Sequence, residues 1–288
     1  MRIRTTASLA LALALCSHAH AQFTTGFEPN TYSGSAAGTI ITGQDGFYIP
    51  VAGSQDGVVM TYAGNALGLP QNPNGGTQFC ATIGADPALG LPQPFSRAQR
   101  DMSYGSGTGV WSASFDVAAA SALITTTPVA QNIGSFSTQV FPGQQTFIAL
   151  ATWTDTNTGG SWNADYIWFD ASGVQLQEQV ANPAFQNLAM DHWYRRSTSF
   201  DLSTNQILSV SITDLTTNTT ATESPVGRYL YGGAAGAPTP TGFRLFGGTN
   251  SGNGNRNALA WDNVSIVPAP ASLLLLGLST LTAARRRR

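Results

Sequence analysis

No lysine occurs anywhere in the 288 residues, which removes Schiff-base catalysis and the lysine of a phosphate-cradling loop. Histidine is almost as scarce. His18 and His20 fall in an N-terminal leader, so His192 is the one histidine of the domain that follows. A multi-histidine metal site is therefore excluded, and any Ser-His-Asp or Cys-His arrangement must run through His192. Asp191 is no partner for it in a strand, where adjacent residues point to opposite faces, and an aromatic-flanked strand histidine reads as structural. Of the two cysteines, Cys16 also belongs to the leader. Cys80 alone forms no internal disulfide, so stability must come from core burial, and its apolar, β-branched surroundings make it a buried small hydrophobe.

Basic charge is sparse too. Between residues 22 and 267 seven arginines (97, 100, 195, 196, 228, 244 and 256) stand against all 15 acidic residues, so this region carries a net charge near −8 although the whole chain reads −2. Nucleic-acid binding needs basic patches that displace counterions from phosphates, and such a surface argues against it. Carboxylate chemistry is thin as well. The three glutamates, Glu28, Glu178 and Glu223, lie far apart in the sequence, while glycoside hydrolysis needs two carboxylates facing one bond. Aspartates such as Asp165 and Asp170 keep a glycan hydrolase open as an alternative.

What the chain does have is clearest at its ends. Arg2 and Arg4 precede an apolar run over 7–16, and Ala19, His20 and Ala21 form a small-x-small cleavage site: a signal peptide over 1–21, helical in its apolar part. At the other end Val267, Pro268, Ala269 and Pro270 lead into a short apolar helix over 273–284 and the cluster Arg285, Arg286, Arg287 and Arg288. Arginines at a helix end stay on the cytoplasmic side, so this tail is a membrane stop that holds the rest of the chain outside. The tail resembles the PEP-CTERM sorting signal of Gram-negative bacteria, with Ala269 standing where that family carries Glu. The resemblance implies cutting at the Pro-rich motif by an exosortase-type enzyme, transient membrane anchoring, and delivery to the cell surface. It reports an address, not an activity.

Between the two signals, at 22–267, no 3.6-residue period appears and two-residue alternation does. Trp111, Ala113, Phe115 and Val117 share a face opposite Ser112, Ser114 and Asp116; Leu208, Val210 and Ile212 oppose Ser209, Ser211 and Thr213. Further strands are expected at 47–51, 58–62, 79–83, 133–141, 146–153, 164–170, 173–180, 192–201, 242–246 and 258–267. Loop-rich sequence with five prolines fills much of 65–97. About a dozen strands at short spacing predict a single all-β domain, an antiparallel β-sandwich. The run from His192 to Arg196, then Phe200, Asp201 and the strand after them, is similar to a laminin-G or concanavalin-type jelly roll. Phe27 and Glu28 near the start, and residues 260–266 near the end, resemble the first and last strands that pair in such folds. The glucanases of the concanavalin fold carry Glu-x-Asp-x-x-Glu on one strand, and that motif is absent here.

The most suggestive local feature is 155–165. Oxygen-bearing side chains at Asp155, Asn157 and Asp165 around two glycines suit a calcium ion, while an Asx- and Gly-rich hairpin turn explains them equally. Trp153, Trp162 and Trp168 flank this loop together with Asn163 and Asp165, the residue types with which proteins stack on sugar rings and bind their hydroxyls. Trp162, between Ser161 and Asn163 and beside two glycines, is expected at a loop tip, where its ring either faces a glycan or folds back onto the sandwich. Asp262, on the parity of Val264 and Ile266, reads as a hydrogen-bonded structural residue or a site residue. The expectation is a non-catalytic, surface-sorted protein that binds or organises extracellular polysaccharide; a structural matrix or adhesion protein is the alternative.

Overall fold

The computed structural model describes residues 23–50, 53–84, 95–122, 131–140, 147–154, 161–236, 238–248 and 258–269. Nineteen strands occur there. In chain order they begin with β1 (Phe23–Thr25), β2 (Thr39–Ile40), β3 (Phe47–Tyr48), β4 (Gln55–Asp56), β5 (Val58–Thr61), β6 (Gln78–Ile83) and β7 (Ser96–Asp101). Next come β8 (Val110–Ala120), β9 (Gln131–Gln139), β10 (Phe147–Thr154), β11 (Ser161–Asn163), β12 (Tyr166–Phe169) and β13 (Gln175–Glu178). The last six are β14 (Leu188–Ala189), β15 (Tyr194–Asp201), β16 (Gln206–Asp214), β17 (Thr219–Glu223), β18 (Gly242–Gly247) and β19 (Ala258–Pro268). No α-helix occurs among the described residues, and none of their helices is long and apolar enough to cross a membrane. The N-terminal signal, through Gln22, and the C-terminal one from Pro270 onward lie outside the described residues; of the sorting motif Val267, Pro268 and Ala269 are described.

The strands form two sheets of a jelly-roll-type sandwich. One sheet has the order β17-β16-β15-β8-β19-β6-β5-β2, with β1 added beside β19; the other runs β13-β12-β10-β9-β18-β7-β3, with β4, β11 and β14 at its margins. All these pairings are antiparallel except β4 with β7. The first and last strands do pair, but a few residues earlier than expected: Phe23 faces Ile266 and Thr25 faces Val264. Phe27 has a left-handed backbone (φ 59°), which ends β1 while keeping its ring in the core.

Alternation decides which face is buried. Trp111, Ala113, Phe115 and Val117 of β8 point between the sheets, where Phe115 stacks on Phe136 at 4.7 Å and Phe136 on Phe243 at 5.9 Å. Each buried phenylalanine here contributes about 1.5–3 kcal/mol through apolar burial. Cys80 is fully buried in this core, as its neighbours predict.

The other face of the β8 sheet is divided. At one end Ala118, Ala120, Ala258 and Ala260 lie under residues 63–77, which fold back as a strap and place Leu67 and Leu69 in a second core with Trp193. The strap is held by Trp193 Nε1, which donates to the Pro70 carbonyl at 2.8 Å, and by Asn65, which bonds Tyr62 and Leu69 backbones. Sequence expected a loop here, and the prolines and glycines do make one, but it is packed. At the other end small hydroxyl side chains stand in register across six strands: Thr24, Ser265, Ser114, Ser197, Ser211 and Thr222.

Candidate functional site

The residues proposed from sequence around 155–165 separate in the fold. Asp155 and Asn157 lie outside the described residues. Trp153 belongs to β10, opposite Asn163 of β11; its side chain is likewise outside the description. Trp162 is not at a loop tip. It sits in β11 between β10 and β14, wholly buried, with Nε1 donating to the Ala189 carbonyl at 3.2 Å and its ring edge-on to Tyr194 at 5.7 Å. A three-residue strand too short to show periodicity carries it into the core. Asn163 accepts the Asn187 amide at 2.9 Å. Asp165, half-buried, keeps Oδ1 without a hydrogen-bond donor; burial pushes its carboxyl up to about 6 against the pull of Arg196. Asp170 lies at the opposite end of β12 and caps a turn by accepting Ser172 and Val174 amides. These two aspartates do not form a catalytic pair.

Trp168 leads to a cleft. At the mouth of the sandwich, edge strand β13 of one sheet and edge strand β17 of the other each turn a glutamate inward. Glu178 and Glu223, 45 positions apart in the sequence, thereby line one opening of about 430 Å³ with Trp168, Asn182, Val210 and Arg228. Glu178 is clamped: Arg228 donates Nε to its Oε2 at 2.5 Å and Nη2 to its Oε1 at 2.7 Å, and Trp168 Nε1 also donates to Oε2. The Arg228 guanidinium lies 5.7 Å from the Trp168 ring, whose other neighbour is Tyr166, nearly parallel at 5.3 Å. Asn182 caps the short 3-10 turn Pro183–Phe185 through Oδ1 and donates Nδ2 to Glu223 Oε1 at 2.8 Å. Nothing in the sequence relates the two glutamates, because the packing of one sheet against the other, not spacing, brings them together.

A second polar cluster lies under the strap, on the β8 sheet. Arg195, Asp116 and Asp262 are direct cross-strand neighbours on β15, β8 and β19. Arg195 donates to both oxygens of Asp116 at 2.7 and 3.0 Å; Tyr62 and Asn72 donate to Asp262 Oδ2 at 2.8 and 3.1 Å. Asn72 and Asn263 also donate to Asp116 Oδ2, at 2.9 and 2.8 Å. Both carboxylates are fully buried. Burial, and to a smaller degree Asp116, pushes the Asp262 carboxyl up to about 7 despite its donors. The sequence parity that grouped Asp262 with Val264 and Ile266 fails because a bulge intervenes: two residues, Asn263 and Val264, oppose the single Phe115, and Asn263 is left-handed (φ 46°). Asp262 therefore faces the strap and Val264 the core, and its donors make it the hydrogen-bonded structural residue of the two readings.

His192 has a partner that sequence could not name. Its Nε2 lies 3.0 Å from Asp214 Oδ1, supplied by the neighbouring β16, and its ring packs on Tyr194 at 4.8 Å. Burial pushes Asp214 up, but His192 and the amides of Thr217 and Thr216 outweigh it and hold the carboxyl below the usual range. Among the described residues no group of three His, Cys, Asp or Glu side chains suits a metal ion.

No family profile matches the chain, and no curated protein matches it by sequence. Among solved structures it is similar to an endo-β-1,4-glucuronan lyase from the fungus Trichoderma reesei, at 13% identity over 81% of this chain and 94% of that one, with a TM-score of 0.43. A cellulose-induced protein gives 12% identity, 86% and 97% coverage and a TM-score of 0.44. A basic winged bean lectin gives 10%, 86%, 99% and 0.43. At these scores the likeness says nothing of activity.

Proposed function

We propose that this chain is an exported, cell-surface-sorted protein without a catalytic site, which binds extracellular polysaccharide through the cleft at the mouth of the sandwich. The observation that carries the reading is the lining of that cleft. An indole N–H, an amide, a guanidinium and two carboxylates converge beside an aromatic ring in an opening large enough for a sugar residue. Dense, alternating donors and acceptors are what hydroxyl recognition requires. The same lining argues against hydrolysis. Glycosidases need a carboxyl group free to face the leaving oxygen, and both oxygens of Glu178 already accept from the Arg228 fork.

Export and sorting rest on the terminal sequences: the signal peptide, then Val267 to Pro270, the apolar segment and the arginine cluster, which would engage the membrane and an exosortase-type enzyme. Calcium at Asp155, Asn157 and Asp165 belongs to the same proposal, supported by the Asp165 oxygen that lacks a donor.

Affinity electrophoresis of the exported protein through polysaccharide gels tests the reading. Glu223→Ala and Asn182→Ala should weaken retention severalfold while stability stays within about 1 kcal/mol of wild type. Wild-type migration of both variants would remove the cleft from the function. A matrix protein without a ligand site would show no retention in any gel. Release of reducing ends that disappears in Glu223→Gln would replace binding with hydrolysis.

A further inference from the structure

The walls of the mouth cleft do not end with the cleft. On β16 and β17 the same faces carry on: Val210 and Glu223 line the cleft, while Ile212, Ala221 and Thr219, further along the same alternation, line a second depression of about 360 Å³. On the opposite wall Asn182 borders the cleft, and Pro183 and Ala184, next in sequence, border the depression. The hydrogen bond from Asn182 to Glu223 therefore lies where two compartments of one groove meet.

The second compartment is preformed. Phe185 anchors its wall, with a buried ring 6.3 Å from Tyr166 and a carbonyl that accepts the Ala164 amide at 2.7 Å. Gln186 Nε2 donates to the Val180 carbonyl at 2.8 Å, and the Asn187 amide donates to Asn163. A ligand entering here meets ordered chain, which spares the entropy of arranging a loop around it. The rim is open to solvent: Pro183, Ala184, Asn187, Thr217 and Thr219 are all exposed. Thr217 donates its hydroxyl to that of Thr219 at 3.1 Å, which leaves the Thr219 hydrogen to turn toward a ligand acceptor. Small apolar surfaces at Pro183 and Ala184 beside the Thr219 hydroxyl and the Asn187 amide suit the C–H face and the hydroxyls of a sugar ring.

Length and charge select among ligands. From Thr219 to Glu223 the strand rises about 13 Å, so a molecule lying along both compartments is a chain of linked sugars and not a single one. The groove follows a strand, so it is straight, and a coiled chain would leave it after a short contact. Arg228 is the one cation among the lining residues, and Glu178 already holds it. Glu223 and Asp214 add further carboxylates, one in each compartment, which repel an acidic chain. We propose that the groove takes an uncharged, extended polysaccharide lengthwise, the compartment beside Ala184 and Thr219 holding the sugars that adjoin the one in the mouth cleft; this rests on the reading that the cleft binds polysaccharide.

The test is affinity electrophoresis of the exported protein in gels of hydroxyethylcellulose (uncharged and extended), dextran (uncharged and coiled) and polygalacturonate (acidic). Retention should be strongest in hydroxyethylcellulose. Cellotetraose added to that gel should release the protein at lower concentration than cellobiose, because only the longer chain fills both compartments. Ala184→Trp, which fills the second compartment from an exposed position, should reduce the effect of cellotetraose to that of cellobiose and leave cellobiose unchanged. Thr219→Val should weaken retention about threefold through one lost hydrogen bond. Equal release by the two oligosaccharides, or a folded Ala184→Trp that keeps the full difference, would overturn the proposal while leaving the mouth cleft as a binding site. Stronger retention by dextran or polygalacturonate would overturn the ligand class, and no retention in any gel would overturn both the proposal and the cleft reading beneath it.

Discussion

Trp162 shows how far a single residue can depart from its local sequence. Serine, asparagine and two glycines surround it, yet its indole is buried, bonded to the Ala189 carbonyl of β14 and edge-on to Tyr194. Trp162→Ala should therefore cost about 3–5 kcal/mol, measured by denaturant unfolding, because it removes a large buried side chain and leaves a cavity. Any loss of polysaccharide retention should track unfolding. Asp262 is the other instructive residue. Its carboxyl, facing Asp116, Arg195 and the Tyr62 hydroxyl, ionises near 7 instead of the usual 3.8. Between those values the folded protein holds a proton that the unfolded chain gives up, so this group's stabilising effect is complete below about pH 4 and is lost as pH rises through 7. The loss is on the order of 4 kcal/mol at most. Asp262→Asn should flatten the dependence of unfolding free energy on pH over this window; an unchanged slope would assign the titration to another group.

At the scale of elements, the strap depends on a close approach that only glycine allows. A Cβ at Gly75 would lie 2.3 Å from Asp262 Oδ2 and 2.9 Å from the Asn72 side chain. Gly75→Ala should loosen residues 63–77, lowering stability by about 1–3 kcal/mol and speeding amide exchange in the strap before the central strands. Long alternating strands such as β8, β15 and β16 were legible in sequence because each has one buried face over eight or more residues. Strands of two or three residues, including β2, β4, β11 and β14, were not, since so short a run carries no period. Edge strand β17, Thr-rich and largely exposed, lacks an apolar pattern altogether. The sorting motif starts inside a strand: Val267 and Pro268 pair with Ser112 and Trp111, and the Ala269 amide donates to Val110 at 2.8 Å.

For the whole molecule, the two termini and the sandwich make separable predictions. Removing Arg285 to Arg288 should release the protein past the membrane, read by cell fractionation, because the twelve apolar residues at 273–284 are a marginal span without a charged stop. Unchanged cell association would sink the sorting reading. If calcium binds the folded loop, chelation should lower the melting temperature and Asp155→Ala should abolish that response. A melting temperature indifferent to calcium would leave only a turn.

Composition by itself leaves a single histidine between residues 22 and 267 and no lysine in the chain, and alternation settled an antiparallel sandwich, because those properties need only residue identities and local period. The candidate sites were decided by tertiary structure. Glu178 and Glu223 meet because two edge strands converge, and His192 finds Asp214 across a strand pair. Even the facing of Asp262 turns on one extra residue at Asn263, which reverses the parity of everything before it. In an all-β fold of long-range pairings, neighbours in space are set by register and bulges, and neither is written in the local sequence.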